Sequence, residues 1–455
     1  EDQPGADQAR HQQPGAEQRA GHQLLSQAVP DRPVALERVD GHAKLVNAAA
    51  MAAAGIDRTT PDPPGGRILH DAQGEPTGVL LDNAESLVDR VIPPASEAGK
   101  LAALEEALNH LASLGLTGVH DAGVGVTPEP GFPQGDAGWA RVDLYRRLLK
   151  EGRLPIRVYV MLGGNGVVPP PGGFFQRPPL LGEGDGLLTV RALKLGVDGA
   201  LGSRGAALEE PYADDDGNRG LVTMAQEPLN TLVQEAMEKG WQVAIHAIGD
   251  RGNRMALEAI VRAEKKVPGG QATRPRIEHA QVLALGDPER FADAGIIASI
   301  QPTHATSDRR WAAERLGPQR LEDAYAYRSL ARAGVRLACG SDFPVESADP
   351  WAGLLAAMAR QDASGEPEGG WRTEEALTPD QALSCFTSGA AWAAFMEDEV
   401  GRLMAGMRAD FTILDGDPLD EPPRRLMDLT VLRTVVGGRT VYEAPAAGAA
   451  ARGRD

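Results

Sequence analysis

From residue 100 onward the apolar positions alternate between short β-branched runs and stretches with apolar residues three and four apart. Leu101, Leu104, Leu108, Leu111 and Leu114 predict an amphipathic helix, with Gly115 as its C-terminal stop. The predicted strands are GVH ending in Asp121, IRVYVML at 156–162, LTVRALKLG at 188–196, QVAIHAIGD at 242–250, PRIEHAQ at 275–281, IIASIQPTH at 296–304 and VRLACGSDFP at 335–344. Strands alternating with helices build a parallel sheet. Seven such strands are one short of a (β/α)8 barrel, a fold that places its chemistry at the C-terminal ends of its strands. After a helix near 378–396, VGRLMAGMRADFTILDGDPL and LTVLRTVVGGRTVYEA read as alternating strands with Gly turns, and ILHDAQGEPTGVL reads as a hairpin.

The first twenty residues nearly repeat a decapeptide, QPGADQAR then QPGAEQRA, without the apolar side chains that would offset ordering entropy. Residues 1–22 are therefore expected to be disordered, as is the Ala/Gly/Arg tail 446–455.

Charge narrows the partners. The chain of 455 residues carries 46 Lys+Arg against 64 Asp+Glu, a net charge of -18 that repels nucleic acid and anionic lipid. A small-molecule substrate is expected instead, with a homo-oligomer compatible. No eighteen apolar residues run together, and the opening residues lack a signal-peptide pattern. The two cysteines, Cys339 and Cys385, are too few for a disulfide framework and fit a reducing compartment, so a cytoplasmic protein is expected. Only 7 of the 46 basic residues are lysines, so a lysine inside an apolar strand needs a reason.

Lys194, His246, His279 and Asp342 each sit at or just after the end of an apolar run. Two imidazoles and a carboxylate form a divalent-metal donor set, with zinc the first choice among Zn, Mn, Fe, Co and Ni. A desolvated Lys194 amine could react with carbon dioxide to give a carbamate, an oxygen ligand able to bridge two ions. The competing reading for Lys194 is a buried ion pair with Asp198. A single strand histidine is more often a hydrogen-bonded core residue than a ligand, but two on consecutive strands with a Gly-Ser-Asp turn at 340–342 favour ligation. His110 falls on the polar face of its helix, and His70 in the hairpin. His42, His120 and His304 follow extended segments and could touch substrate. Arg204, in DGALGSRGAAL, would either clamp a substrate carbonyl or brace its loop. Neither GxxxxGK[ST] nor a strand-linked GxGxxG occurs, so no phosphate site is indicated.

VRALKLGVDGALGSRGAALEEPYAD, QVAIHAIGDRGNR, RIEHAQ, IASIQPTH, GSDFPVE and GRLMAGMRADFTILD resemble the amidohydrolase superfamily, in particular the metal-dependent hydrolases of amidohydrolase family 3, the group that includes N-substituted formamide deformylase. RVDGHAKLVNAAAMAAAGI with GEPTGVLLDNA resembles that group's inserted subdomain. The resemblance runs from about residue 28 to 443; residues before about Leu24 match nothing in it. It implies an α/β fold: an inserted α/β subdomain at 23–95, a (β/α)8 TIM-like barrel at 96–399 and part of a β-sandwich at 400–445. It also implies one or two divalent ions held by a carboxylated Lys194, His246, His279 and Asp342. Asp342 would take a proton from the attacking water and return it to a leaving amine; His42, Arg204 and His304 are expected from their own positions, not from the resemblance, to meet substrate.

Family members carry a His-x-His pair on the first barrel strand, and no two histidines in this chain are separated by one residue. The expectation is an N-terminally incomplete chain, or a degraded paralogue, with weak or no activity. Two other readings stand beside amide hydrolysis: a metal-free lyase or aldolase with Lys194 as its Schiff-base amine, and a non-catalytic pseudoenzyme.

Overall fold

The computed structural model describes residues 21–125, 136–165, 175, 177–419 and 422–445. The head and tail expected to be disordered lie almost wholly outside the described residues, as does most of the Gly- and Pro-rich stretch after strand 157–165.

Seven strands form a curled parallel sheet: Gly118–Val124, Arg157–Asn165, Leu188–Gly196, Gln242–Ala247, Arg276–His279, Ile297–Ile300 and Leu337–Cys339. Each pairs with its neighbour in sequence, and all six pairings are parallel. A short strand, Leu180–Gly182, adds one antiparallel pairing to Leu188–Gly196. The expected seven strands are therefore present. The two outermost, Gly118–Val124 and Leu337–Cys339, each have a single neighbour among the described strands, so the curl is open between them. Helices cover the outer face, and strands such as 242–247 and 276–279 are buried along their whole length. This is why they read as continuous apolar runs rather than alternating ones.

The leucine-patterned helix spans Glu97–Ser113. Ser96 caps it by accepting from the Gly99 N–H at 3.1 Å, and Gly115, at φ +90°, turns the chain where a side chain would be strained. Its buried face, Leu101, Leu108 and Ala112, joins the main core. Near its end sits a three-stranded antiparallel sheet in the order Phe411–Leu414, Val431–Val436, Arg439–Glu443. Thr412 Oγ1 donates to the Gly115 carbonyl at 2.6 Å and Thr434 Oγ1 to the Ala112 carbonyl at 2.7 Å. A buried fork from Arg157 to Asp410, at 2.6 and 2.9 Å, ties that sheet to the start of strand 157–165.

Residues Ala35–Asp82 make a separate antiparallel sheet in the order 35–37, 43–46, 76–82, 66–70, with its own core of Val46, Met51, Ile56, Ile68, Leu80 and Val88. The ILHDAQGEPTGVL hairpin is its outer pair. Asn47 starts the helix Ala48–Ala54 by accepting from the Ala50 N–H at 2.9 Å.

Cys339 and Cys385 are joined in a disulfide, with Cα atoms 5.1 Å apart. The pair too few for a disulfide framework, and expected to fit a reducing compartment, forms one bridge: the last parallel strand is tied to the segment between the helices Pro379–Ser384 and Ala390–Ala393.

Candidate functional site

The C-terminal ends of the parallel strands open into a cavity of about 870 Å³ whose lining includes Lys194, His246, His279 and Asp342. Strand register explains the convergence. Lys194 pairs with Ala244 and His279 with Ala247, so the side chains of three neighbouring strands reach the same end of the sheet within two residues of the His246 level.

The Lys194 ammonium makes no hydrogen bond or ion pair to a described residue, and burial lowers its pKa, with Glu278 and Asp342 opposing. Its ion pair with Asp198, the competing reading, does not form. Asp198 instead accepts three backbone N–H groups: Ala207 at 2.9 Å, Ile248 at 3.0 Å and Gly249 at 2.8 Å. Burial pushes its carboxyl up to about 7 even so, against those three bonds. Asp198 thus fastens the loop after strand 188–196 to the two residues that follow the His246 strand.

His246 Nε2 is buried with no hydrogen-bond partner, 3.5 Å from Asp198 Oδ1. An orphaned buried imidazole nitrogen facing a cavity suits a metal donor, so the residues fit the divalent ion that the donor set implies. Burial lowers the His246 pKa well below 6.5 and that of His279 to about 4, which keeps both rings neutral and able to donate a lone pair. The rings of His246 and His279 lie 4.5 Å apart, edge to face. His279 Nδ1 meets Gln301 Oε1 at 2.8 Å; an Nδ1–H donated there leaves Nε2 as the free donor atom.

His304 does not line the cavity. It lies in the first turn of the helix Pro302–Asp308, stacked on His279 at 5.9 Å. Its Nε2 is 3.5 Å from Asp342 Oδ2 and its Nδ1 3.3 Å from Glu346 Oε1. Burial would lower the His304 pKa, but the Asp342 and Glu346 carboxylates raise it to about 10. The same contact takes Asp342 down to about 2 against its own desolvation. His279, His304 and Asp342 each place a donor atom within 4.8 Å of the others.

His42 does line the cavity: Nδ1 bonds Asp82 Oδ1 at 2.7 Å, and its ring is 5.1 Å from that of His246. The small N-terminal sheet therefore contributes a side chain to the barrel's mouth. Gly199 and Gly205 make room for Asp82, since a Cβ on either would fall 2.5 or 2.6 Å from its carboxylate oxygens. Arg204 is absent from the lining and forks onto Asp214 at 3.0 and 3.2 Å, the arrangement of a loop brace. His120 also lines the cavity, its Nδ1 2.9 Å from the Arg276 guanidinium, which also bonds Ser299 at 2.6 Å and pairs with Glu278 at 2.6 Å. His110 is exposed, as its place on the helix predicts. Asp82, Gln301 and Glu346 escaped the sequence reading, which took Asp198 only as a counter-ion of Lys194. The weak signal for the last two was proximity, since Gln301 lies in QPTH and Glu346 in GSDFPVE.

A parallel α/β sheet with imidazoles and a carboxylate converging at its strand ends defines the class of barrel hydrolases that use metal. The chain belongs to the amidohydrolase family: the Amidohydro_3 model, described as an amidohydrolase family, matches residues 9–442. That match begins earlier than the motifs indicated, inside the low-complexity head. Among relatives, a Bacillus subtilis protein, YtcJ, named as an amidohydrolase, is 36% identical over 92% of this chain and 76% of its own. The N-substituted formamide deformylase of Arthrobacter pascens is 30% identical over 92% and 75%. A metal-dependent hydrolase from Pyrococcus horikoshii, solved but uncharacterized, superposes with a TM-score of 0.67 at 26% identity, covering 89% of this chain and 75% of that one. No helix among the described residues is long and apolar enough to cross a membrane.

Proposed function

We propose that this chain is a metal-dependent amidohydrolase that cleaves an amide-type C–N bond in a small N-acyl or N-formyl amine. One observation carries the reading: Lys194, His246, His279 and Asp342, drawn from four strand ends, face one cavity without satisfying one another. The ion, with zinc the first choice, would be held within this cluster. A bound divalent ion supplies acidified water, with a pKa brought from about 15.7 towards about 7, and polarisation of the scissile carbonyl.

The chain's own residues do the rest. Asp342, held low enough to stay ionised at neutral pH, accepts a proton from the attacking water and returns it to the departing nitrogen. The lowered Lys194 amine suits carbamate formation, which would turn a cation into an anionic oxygen donor. His42, oriented by Asp82, is placed to touch the substrate from the side of the small sheet.

The test is metal content by elemental analysis, together with amine release from N-formyl and N-acyl amines with and without chelator. Bound metal and chelator-sensitive turnover support the reading. Turnover that survives chelator but is trapped by borohydride on Lys194 would replace it with Schiff-base chemistry, and neither metal nor turnover would refute it.

A further inference from the structure

We propose that His304 is a metal ligand, joining His279 and Asp342 as a third closely grouped donor beside His246 and Lys194. The inference rests on the metal-binding half of the reading above and not on hydrolysis.

The geometry is that of a built site. The three donor atoms lie within 4.8 Å of one another, the separation expected of groups that share one ion. Each imidazole has its other nitrogen engaged: His279 Nδ1 by Gln301 Oε1 at 2.8 Å, His304 Nδ1 by Glu346 Oε1 at 3.3 Å. Glu346 is itself fixed by the Ser307 hydroxyl, which donates to it at 2.6 Å from the helix that carries His304. An oxygen acceptor behind each ligating histidine sets its tautomer and aims the opposite nitrogen, the usual support of a metal-bound imidazole. Here that opposite nitrogen of His304 points at Asp342 Oδ2, 3.5 Å away.

Backbone geometry agrees. His279 has φ +75° and Asp342 φ +58°, the left-handed region that costs a side-chain-bearing residue about 1–3 kcal/mol and persists where surrounding structure enforces it. The Asp342 turn is closed by the Val345 N–H donating to the Asp342 carbonyl at 2.8 Å. Two of the three residues are thus held in backbone conformations that the surrounding structure enforces. A substrate contact explains His304 less well, because it lies off the cavity wall with Asp342 in front of it.

The experiment titrates the chelator-stripped full chain with Co(II), following the visible absorption of the bound ion and its stoichiometry. The variants are H304Q, H246Q and E346Q, each checked for native circular dichroism. H304Q should weaken Co(II) binding by more than about 100-fold and E346Q by a smaller factor, as loss of an outer partner typically costs a site about 10–100-fold. H246Q removes a donor already placed in the cluster and should weaken Co(II) binding as well, so it serves as the reference for the loss of one ligand. Unchanged affinity in H304Q, with affinity lost in H246Q, overturns the assignment while leaving metal dependence intact. Failure of the unmutated chain to bind Co(II) removes both.

Discussion

Replacing Asp198 tests whether the strand ends that carry Lys194 and His246 are fixed by backbone hydrogen bonds. Its Oδ2 accepts from Ala207 and Gly249 and its Oδ1 from Ile248, all buried. In D198N the amide oxygen can keep the two bonds at the Oδ2 position, but the amide nitrogen then faces the Ile248 N–H, donor to donor. One buried N–H left unsatisfied costs about 1–3 kcal/mol, and each surviving bond loses about 1 kcal/mol as its acceptor loses charge. The sum is about 3–5 kcal/mol. D198A strands all three donors and adds a void, for about 5 kcal/mol. Urea denaturation should be run at pH 8, above the raised carboxyl pKa of about 7, so that the reference protein carries the charge. Amide hydrogen exchange at 207, 248 and 249 gives the local readout and should accelerate in both variants. Because Ile248 and Gly249 follow directly on the His246 strand, Co(II) binding that involves His246 would fall with it. The reasoning fails if D198N stays within about 1 kcal/mol of the parent with those three amides still protected.

Two further outcomes follow from the same geometry. His304 has a folded pKa of about 10, above its unfolded 6.5, so its pairing with Asp342 and Glu346 stabilises the metal-free chain fully below pH 6.5 and is lost as pH rises towards 10. Chelated protein should lose up to about 1.4 kcal/mol per pH unit over that window; denaturation midpoints at pH 6.5, 8 and 9.5 should show a flatter decline in H304Q, and parallel declines would count against the pairing. G205A puts a methyl group 2.6 Å from Asp82 Oδ2 and should cost about 1–3 kcal/mol while releasing His42 from its 2.7 Å bond. Unaltered stability, together with an unchanged His42 ring resonance by NMR, would show that Asp82 yields freely.

The parts of this molecule that were legible in sequence are those in which one residue type at one position carries the information. Strands buried on both faces must be apolar throughout, so LTVRALKLG and QVAIHAIGD announced themselves, and any polar residue at their ends stood out. That is how Lys194 and His246 were found, and why they do meet at one cavity. What stayed hidden depends on partners that composition cannot show. Asp198 read as a counter-ion for Lys194 because both are charged, yet its true partners are three main-chain amides that every sequence possesses. Arg204 read as a possible substrate clamp, but Asp214, ten residues on, takes its guanidinium. His304 and Glu346, 42 residues apart, meet only because strands 297–300 and 337–339 are neighbours. Parallel pairing therefore does for His304 what it does for His246 and His279, bringing the residues that follow adjacent strands to one rim. The distinction between ligand and substrate contact at that rim then rests on which nitrogen each neighbour leaves free. That is a property of hydrogen bonds rather than of residue type, and it is why His304, an open question in the sequence, becomes in the folded chain the histidine with its back to Glu346 and its face to Asp342.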